Sequence, residues 1–299
     1  MSERVSLVMV PVDGSAQADA ATRHAALLAY LLDATLQLVH VLRLHPAEFS
    51  DLPGNRQAEA DHDRRAWEAN ASHAFTHARE HLASLSFSAQ LRIEAQRLRD
   101  ESFVPHPERV IVDHARRHDK ALLVMGARHL SEFGKWVKGS VSNAVVHRAK
   151  GPVTVIHPGA SILDTATIGC ILLPVDGSPH SDVAARLAGD LARSGAIRVE
   201  LLFCQPPGEM PLLDSGESEA SRVFRHTQRV LGEIPAGVTE TLLRAERYAN
   251  AIVAQACSCP DNPVIIMGRR GMSSLQASLL GSVSHKVIEQ ASCPVTVVV

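Results

Sequence analysis

Gly268-Arg269-Arg270-Gly271, then nine residues, then Gly281-Ser282-Val283-Ser284 is a pattern able to hold phosphate. Glycine lets backbone approach an anion without a Cβ in the way, and the amides of a helix N-terminus donate to its oxygens. Arg269 and Arg270 would add charge-assisted contacts. The pattern recurs in the first half with the same nine-residue gap, as Gly126-Ala127-Arg128-His129 followed by Gly139-Ser140-Val141-Ser142. There His129 replaces the second glycine. If that position needs a positive φ, histidine costs about 1–2 kcal/mol, and a lost charge-assisted phosphate contact adds roughly 1.5–3 kcal/mol. At about 1.4 kcal/mol per tenfold, the first copy is expected to be weaker by roughly two orders of magnitude or more. Alternatively, His129 turns a ring nitrogen to phosphate, with Arg128 and Lys138 helping. A bare Gly-x-x-Gly is equally the mark of a tight turn, so its context has to decide.

Each copy follows an apolar run, Ala121 to Met125 or Val264 to Met267, and precedes a helical pattern closed by a Pro-Val pair. Leu7-Val-Met-Val-Pro-Val-Asp13-Gly14-Ser15 recurs as Ile171-Leu-Leu-Pro174-Val175-Asp176-Gly177-Ser178. Such continuous apolar runs suit strands buried on both faces of a parallel sheet. Ser15 and Ser178 are placed to cap the next helices, Pro179 suits a first helical position, and Asp19 and Asp182 suit a first turn. Those helices are predicted to end near Asp33 and Arg193. Second strands follow at Leu36–Val41 and Val199–Cys204; Asp13 and Val41 are 28 positions apart, as are Asp176 and Cys204. Third strands are read at Leu91–Leu98 and Val238–Ala245, further helices at Pro107–Arg117 and Asn250–Ala256, and last strands at Val153–Ile156 and Val295–Val299. Strands alternating with helices make parallel sheets with right-handed crossovers. The first half carries the longer excursions, around His45–Arg65 and Arg99–Pro107. The stretch His157–Ala166 reads as a linker, giving domains at 1–158 and 166–299.

A chain of 299 residues, 45% hydrophobic and 21% charged, with net charge −2, is ordinary globular protein. The absence of a basic field and an aromatic content of 4% argue against nucleic-acid partners. No signal peptide or 18-residue apolar run is found, so no membrane partner and a cytoplasmic location are expected. The five cysteines fit a reducing compartment. Cys257-Ser-Cys259 has the form of a redox or metal pair, but the second pair a zinc site needs is missing, and incidental thiols are the first reading.

His73, His77 and His81 share one face of a predicted helix, a geometry competent for metal. Glu68, Asn70, Thr76, Arg79 and Glu80 around them describe a solvated polar face, and His114 with His118 reads the same way. His40, ending a strand, is expected to be packed. No metal site is assigned. No acid/base pair or Ser-His-Asp order accompanies Asp13 or Asp176, so no catalytic residue is named and no enzyme is expected.

The Val-Asp-Gly-Ser first strand, the Gly-x-x-Gly-nine-Gly-Ser signature and the terminal Pro-Val-x-Val strand resemble the universal stress protein family, over essentially the whole chain. The resemblance implies two tandem, doubly wound, Rossmann-like α/β domains of five parallel strands each. It implies pairing through the last strands, Val153–Ile156 with Val295–Val299, as an intrachain pseudo-dimer, with further homodimerisation open. The ligand implied is ATP, with Mg2+. In the second half it would be held by Pro174, Val175, Asp176, Cys204, Met267, Gly268, Arg269, Arg270, Gly271, Gly281, Ser282, Val283 and Ser284. The first-strand aspartate and second-strand end would serve ribose and adenine. A weaker site would comprise Asp13, Val41, Gly126, Arg128, His129, Gly139, Ser140 and Val141. The expected function is a stress-response nucleotide-binding sensor. A slow ATPase or nucleotidyl-transfer enzyme, and a nucleotide-free interaction scaffold, remain as alternatives.

Overall fold

A computed structural model describes residues 4–43, 55–102, 104–127, 141–157, 167–208, 218–271 and 280–299. The first half runs β1 (Leu7–Pro11), α1 (Ala16–Leu32), β2 (Thr35–Arg43), α2 (Asn55–Ala83), β3 (Ile93–Asp100), α3 (Pro107–Ala115), β4 (Ala121–Gly126), α4 (Val141–Arg148) and β5 (Val153–Ile156). The second repeats it as β6 (Cys170–Pro174), α5 (Pro179–Gly195), β7 (Arg198–Gln205), α6 (Glu219–Leu231), β8 (Val238–Arg244), α7 (Tyr248–Ser258), β9 (Pro263–Gly268), α8 (Ser282–Gln290) and β10 (Val295–Val298).

The strands form one ten-stranded sheet in the order β3-β2-β1-β4-β5-β10-β9-β6-β7-β8. Within each half every pairing is parallel. The halves join where β5 meets β10 antiparallel, with Thr154 opposite Thr296. An antiparallel join is what two last strands make across a pseudo-twofold axis, and it leaves neither as an open edge. The two threonine hydroxyls bond each other at 2.7 Å in this buried seam.

Strand alternation divides the core into two layers that run through both halves. Val8, Val10, Ile171 and Leu173 pack under α1, α2, α5 and α6, while Leu7, Met9, Cys170 and Leu172 pack under α3, α4, α7 and α8. The side-by-side packing of α1 and α5 makes the first layer continuous across the seam. Ser15 and Ser178 cap α1 and α5, each accepting at 3.3 Å from the amide three residues on. Pro179 takes the first helical position. α5 runs two residues past the expected Arg193, because Ala196 adopts a left-handed conformation (φ 49°) that closes the helix after Gly195. No described helix is long and apolar enough to cross a membrane.

Candidate functional site

The second-half site starts where β6 leaves the sheet. Chain direction diverges there: β7 lies on one side of β6 and β9 on the other, which is the switch point at which open α/β sheets bind ligands. Val175 is buried and its amide is held by Leu202 O at 2.9 Å, while Pro174 and Asp176 are half-buried. Asp176 Oδ1 accepts the Ser178 amide at 3.0 Å, and Gly177 between them takes φ +78°, which an L side chain rarely adopts. The first half repeats the turn. Asp13 Oδ1 accepts the Ser15 amide at 3.0 Å and its hydroxyl at 2.6 Å, with Gly14 at φ +76°.

The signature backbone is clasped against this turn. β9 ends at buried Met267 and Gly268, and Gly281 N donates back to Arg269 O at 2.9 Å. Ser178 Oγ reaches Arg270 O at 3.5 Å. Gly271 lies so close to the aspartate that a Cβ there would stand 2.5 Å from Asp176 Oδ2. Buried Ser284 donates its hydroxyl to Gly268 O at 3.0 Å, tying the start of α8 to the end of β9. Ser282 is exposed and Val283 half-buried. Gly281, the N-cap of α8, offers no side-chain cap, so the first-turn amides have no acceptor from the helix itself. The second-half pattern thus brings an aspartate, a glycine and a helix N-terminus to one sheet edge.

Arg269 does something the sequence did not announce. Its side chain, expected at phosphate, is 4% exposed and runs instead to the carboxyl end of α4 in the first half. Nη1 donates to Ala149 O at 2.6 Å and Nη2 to His147 O. A cation on the last carbonyls of a helix is favoured by the macrodipole. Burial, with Arg270 beside it, pushes the Arg269 pKa down. Its backbone stays in the signature while its side chain spans the seam. Arg270 remains half-buried, with its backbone carbonyl facing Ser178 Oγ. Cys204 is half-buried at the end of β7, and burial pushes its thiol up to about 11.

In the first half, Ser142 Oγ donates to Gly126 O at 2.6 Å, repeating the Ser284 tie, and Ala127 N donates to Ile156 O where Arg269 N donates to Val298 O. Val41 packs against the second core layer, and Val141 opens α4. Arg128, His129, Lys138, Gly139 and Ser140 lie outside the described residues.

The histidines divide. His40 Nδ1 bonds Val12 O at 2.7 Å. His114 is half-buried rather than on a fully solvated face: Nε2 meets Gln37 Oε1 at 2.9 Å, and burial, then His118 and Arg117, lowers its pKa. His73 is exposed, whereas His77 and His81 are half-buried and turn to Asp19 on α1. All five cysteines are free thiols. A cleft of about 580 Å³, which the sequence gave no sign of, lies between β3 and α3, lined by Arg99, Asp100, Arg109 and His114 rather than by the signature.

The universal stress protein family model matches residues 6–157 and again 168–299. A universal stress protein of Mycolicibacterium smegmatis is 30% identical over 298 residues, covering 97% of this chain and 96% of that protein. Another, from Mycobacterium tuberculosis, is 26% identical over 303 residues, with 97% and 96% covered. The crystal structure of a universal stress protein from Archaeoglobus fulgidus shares the fold, with a TM-score of 0.70 at 20% identity over 98% of this chain and 97% of that one. With the family pattern matched once in each half and a relative spanning nearly the whole length, the chain belongs to the universal stress protein family.

Proposed function

We propose that this universal stress protein binds ATP, with Mg2+, in its second half and acts as a nucleotide-dependent stress-response module rather than a turnover enzyme. The observation that carries the reading is the contact of Gly271 with Asp176 beside the N-terminus of α8, whose N-cap Gly281 has no side chain and which no described residue caps. A ribose hydroxyl finds an acceptor in the Asp176 carboxylate. Phosphate oxygens find donors in the amides of Ser282, Val283 and Ser284, with Arg270 alongside. The ends of β6 and β7, Pro174–Val175 and Cys204, offer backbone and apolar surface for the base. Arg269 takes part through its backbone, since its guanidinium is bonded to α4. The first half, with His129 in the signature, serves mainly as the pairing partner.

The test is nucleotide content and calorimetric stoichiometry for the wild type, Gly271→Val and His129→Gly. The reading expects about one strong site per chain. Gly271→Val brings a side chain onto the Asp176 carboxylate and should weaken ATP at least tenfold, about 1.4 kcal/mol. His129→Gly should raise the stoichiometry towards two. Absence of ATP affinity after stripping, or full affinity in Gly271→Val, would sink the proposal.

A further inference from the structure

Beyond nucleotide binding, we propose that Asp19, His77 and His81 form a site for a divalent transition-metal ion. Asp19 lies in the first turn of α1, and the two histidines project from α2 one turn apart, so two helices supply the ligands. Asp19 Oδ2 is 3.1 Å from His77 Nε2 and 3.7 Å from His81 Nε2, and one ligand atom from each residue lies within 4.8 Å of the others. Ligands at about 2.0–2.1 Å from a tetrahedral ion stand about 3.3 Å apart, so the set needs only small rotations to close on a metal. The three side chains are 20%, 31% and 38% exposed. Their donors are therefore partly shielded, while a fourth position stays open for water. Two imidazoles and a single carboxylate select zinc, cobalt or nickel over magnesium or calcium, which prefer all-oxygen sets.

The second half provides an internal comparison. There Asp182 and His226, on α5 and α6, make the same contact at 3.0 Å, so one aspartate–histidine bond suffices to brace the two helices. Four residues after His226 stands Val230, packed against the core, where the first half has His81. A brace accounts for His77, whereas His81 sets its ring edge-to-face on His77 at 4.5 Å and stands too far from Asp19 for a hydrogen bond, so the brace does not require it. A metal accounts for both.

The experiment uses the full chain stripped with a chelator, titrated with Co2+ as a spectroscopic probe and with Zn2+ in competition. One equivalent should give visible ligand-field bands, and Zn2+ should raise the melting temperature. His81→Ala and Asp19→Asn should each weaken the metal roughly 100-fold or more, since even losing a group that only hydrogen-bonds a ligand costs about 10–100-fold. Asp19→Asn keeps the shape and an acceptor for His77, so its melting in chelator should match that of the wild type. His226→Ala and Cys257→Ser/Cys259→Ser should leave the affinity unchanged. Failure of the wild type to bind Co2+, or undiminished binding by His81→Ala and Asp19→Asn, overturns the proposal.

Discussion

Arg269→Met separates two roles for one residue. In the native seam the guanidinium makes two charge-assisted hydrogen bonds to the end of α4, to Ala149 O and His147 O. Such bonds contribute roughly 1.5–3 kcal/mol each. Against that stands the cost of burying the cation, visible in its lowered pKa and in an Nε with no hydrogen-bond partner among the described residues. Methionine fills part of the volume but donates nothing, leaving carbonyls at a buried helix end without their partner. Two carbonyls left without partners cost about 1–3 kcal/mol each, partly offset because no cation is buried, so the net loss should be about 3 kcal/mol. At the roughly 2–4 °C per kcal/mol typical of somewhat shorter chains, Tm should fall by about 6–12 °C. Calorimetry with and without saturating ATP is the assay. The Tm should drop in both conditions, with ATP affinity well below its melting point changed less than threefold. Unchanged melting together with a tenfold or greater loss of ATP affinity would refute the seam assignment and return Arg269 to the phosphates.

His24 is 2% exposed on α1, and burial lowers its pKa from 6.5 to about 4. Its native form binds fewer protons than its unfolded form between those values, so stability falls as pH drops from 6.5 to 4. At 1.36 kcal/mol per unit the loss is up to about 3 kcal/mol, and denaturant titrations at the two pH values should find it greatly reduced in His24→Leu. A pH dependence equal in both proteins would assign the effect elsewhere. Thr154→Val should cost about 1–3 kcal/mol by leaving the Thr296 hydroxyl buried and alone. Thr154→Val/Thr296→Val should cost less than the two single losses added, and strict additivity in that cycle would mean the threonine pair is not coupled.

What the sequence made legible was local or repeated. Continuous apolar runs marked β1 and β6, Ser15 and Ser178 marked the helix starts, and the equal spacing of Asp13–Val41 and Asp176–Cys204 exposed the duplication. The pairing of β5 with β10 followed from the family resemblance, and the structure adds its antiparallel register. The contact of Arg269 is not legible in the sequence because its acceptors are backbone carbonyls 120 and 122 residues away, and a carbonyl leaves no trace in residue type. His77 and His81 border the apolar stripe Ala71, Ala74, Phe75, Ala78 and Leu82 that buries α2, and with Thr76, Arg79 and Glu80 around them their residue types do not say which way the imidazoles turn. Only the packing of two helices could show that this face meets Asp19.

The seam has a consequence for how the two halves can diverge. In a homodimer joined through this strand, any arginine reaching across would occur twice, with a copy on the opposite side. Here Ala127, fully buried, stands where a second Arg269 would be. One covalent chain therefore writes each side of its own interface separately, so a contact can be one-sided and a signature can change in one half alone. The pairing is also unimolecular: dilution cannot separate the halves, and the unequal partners are always present one to one.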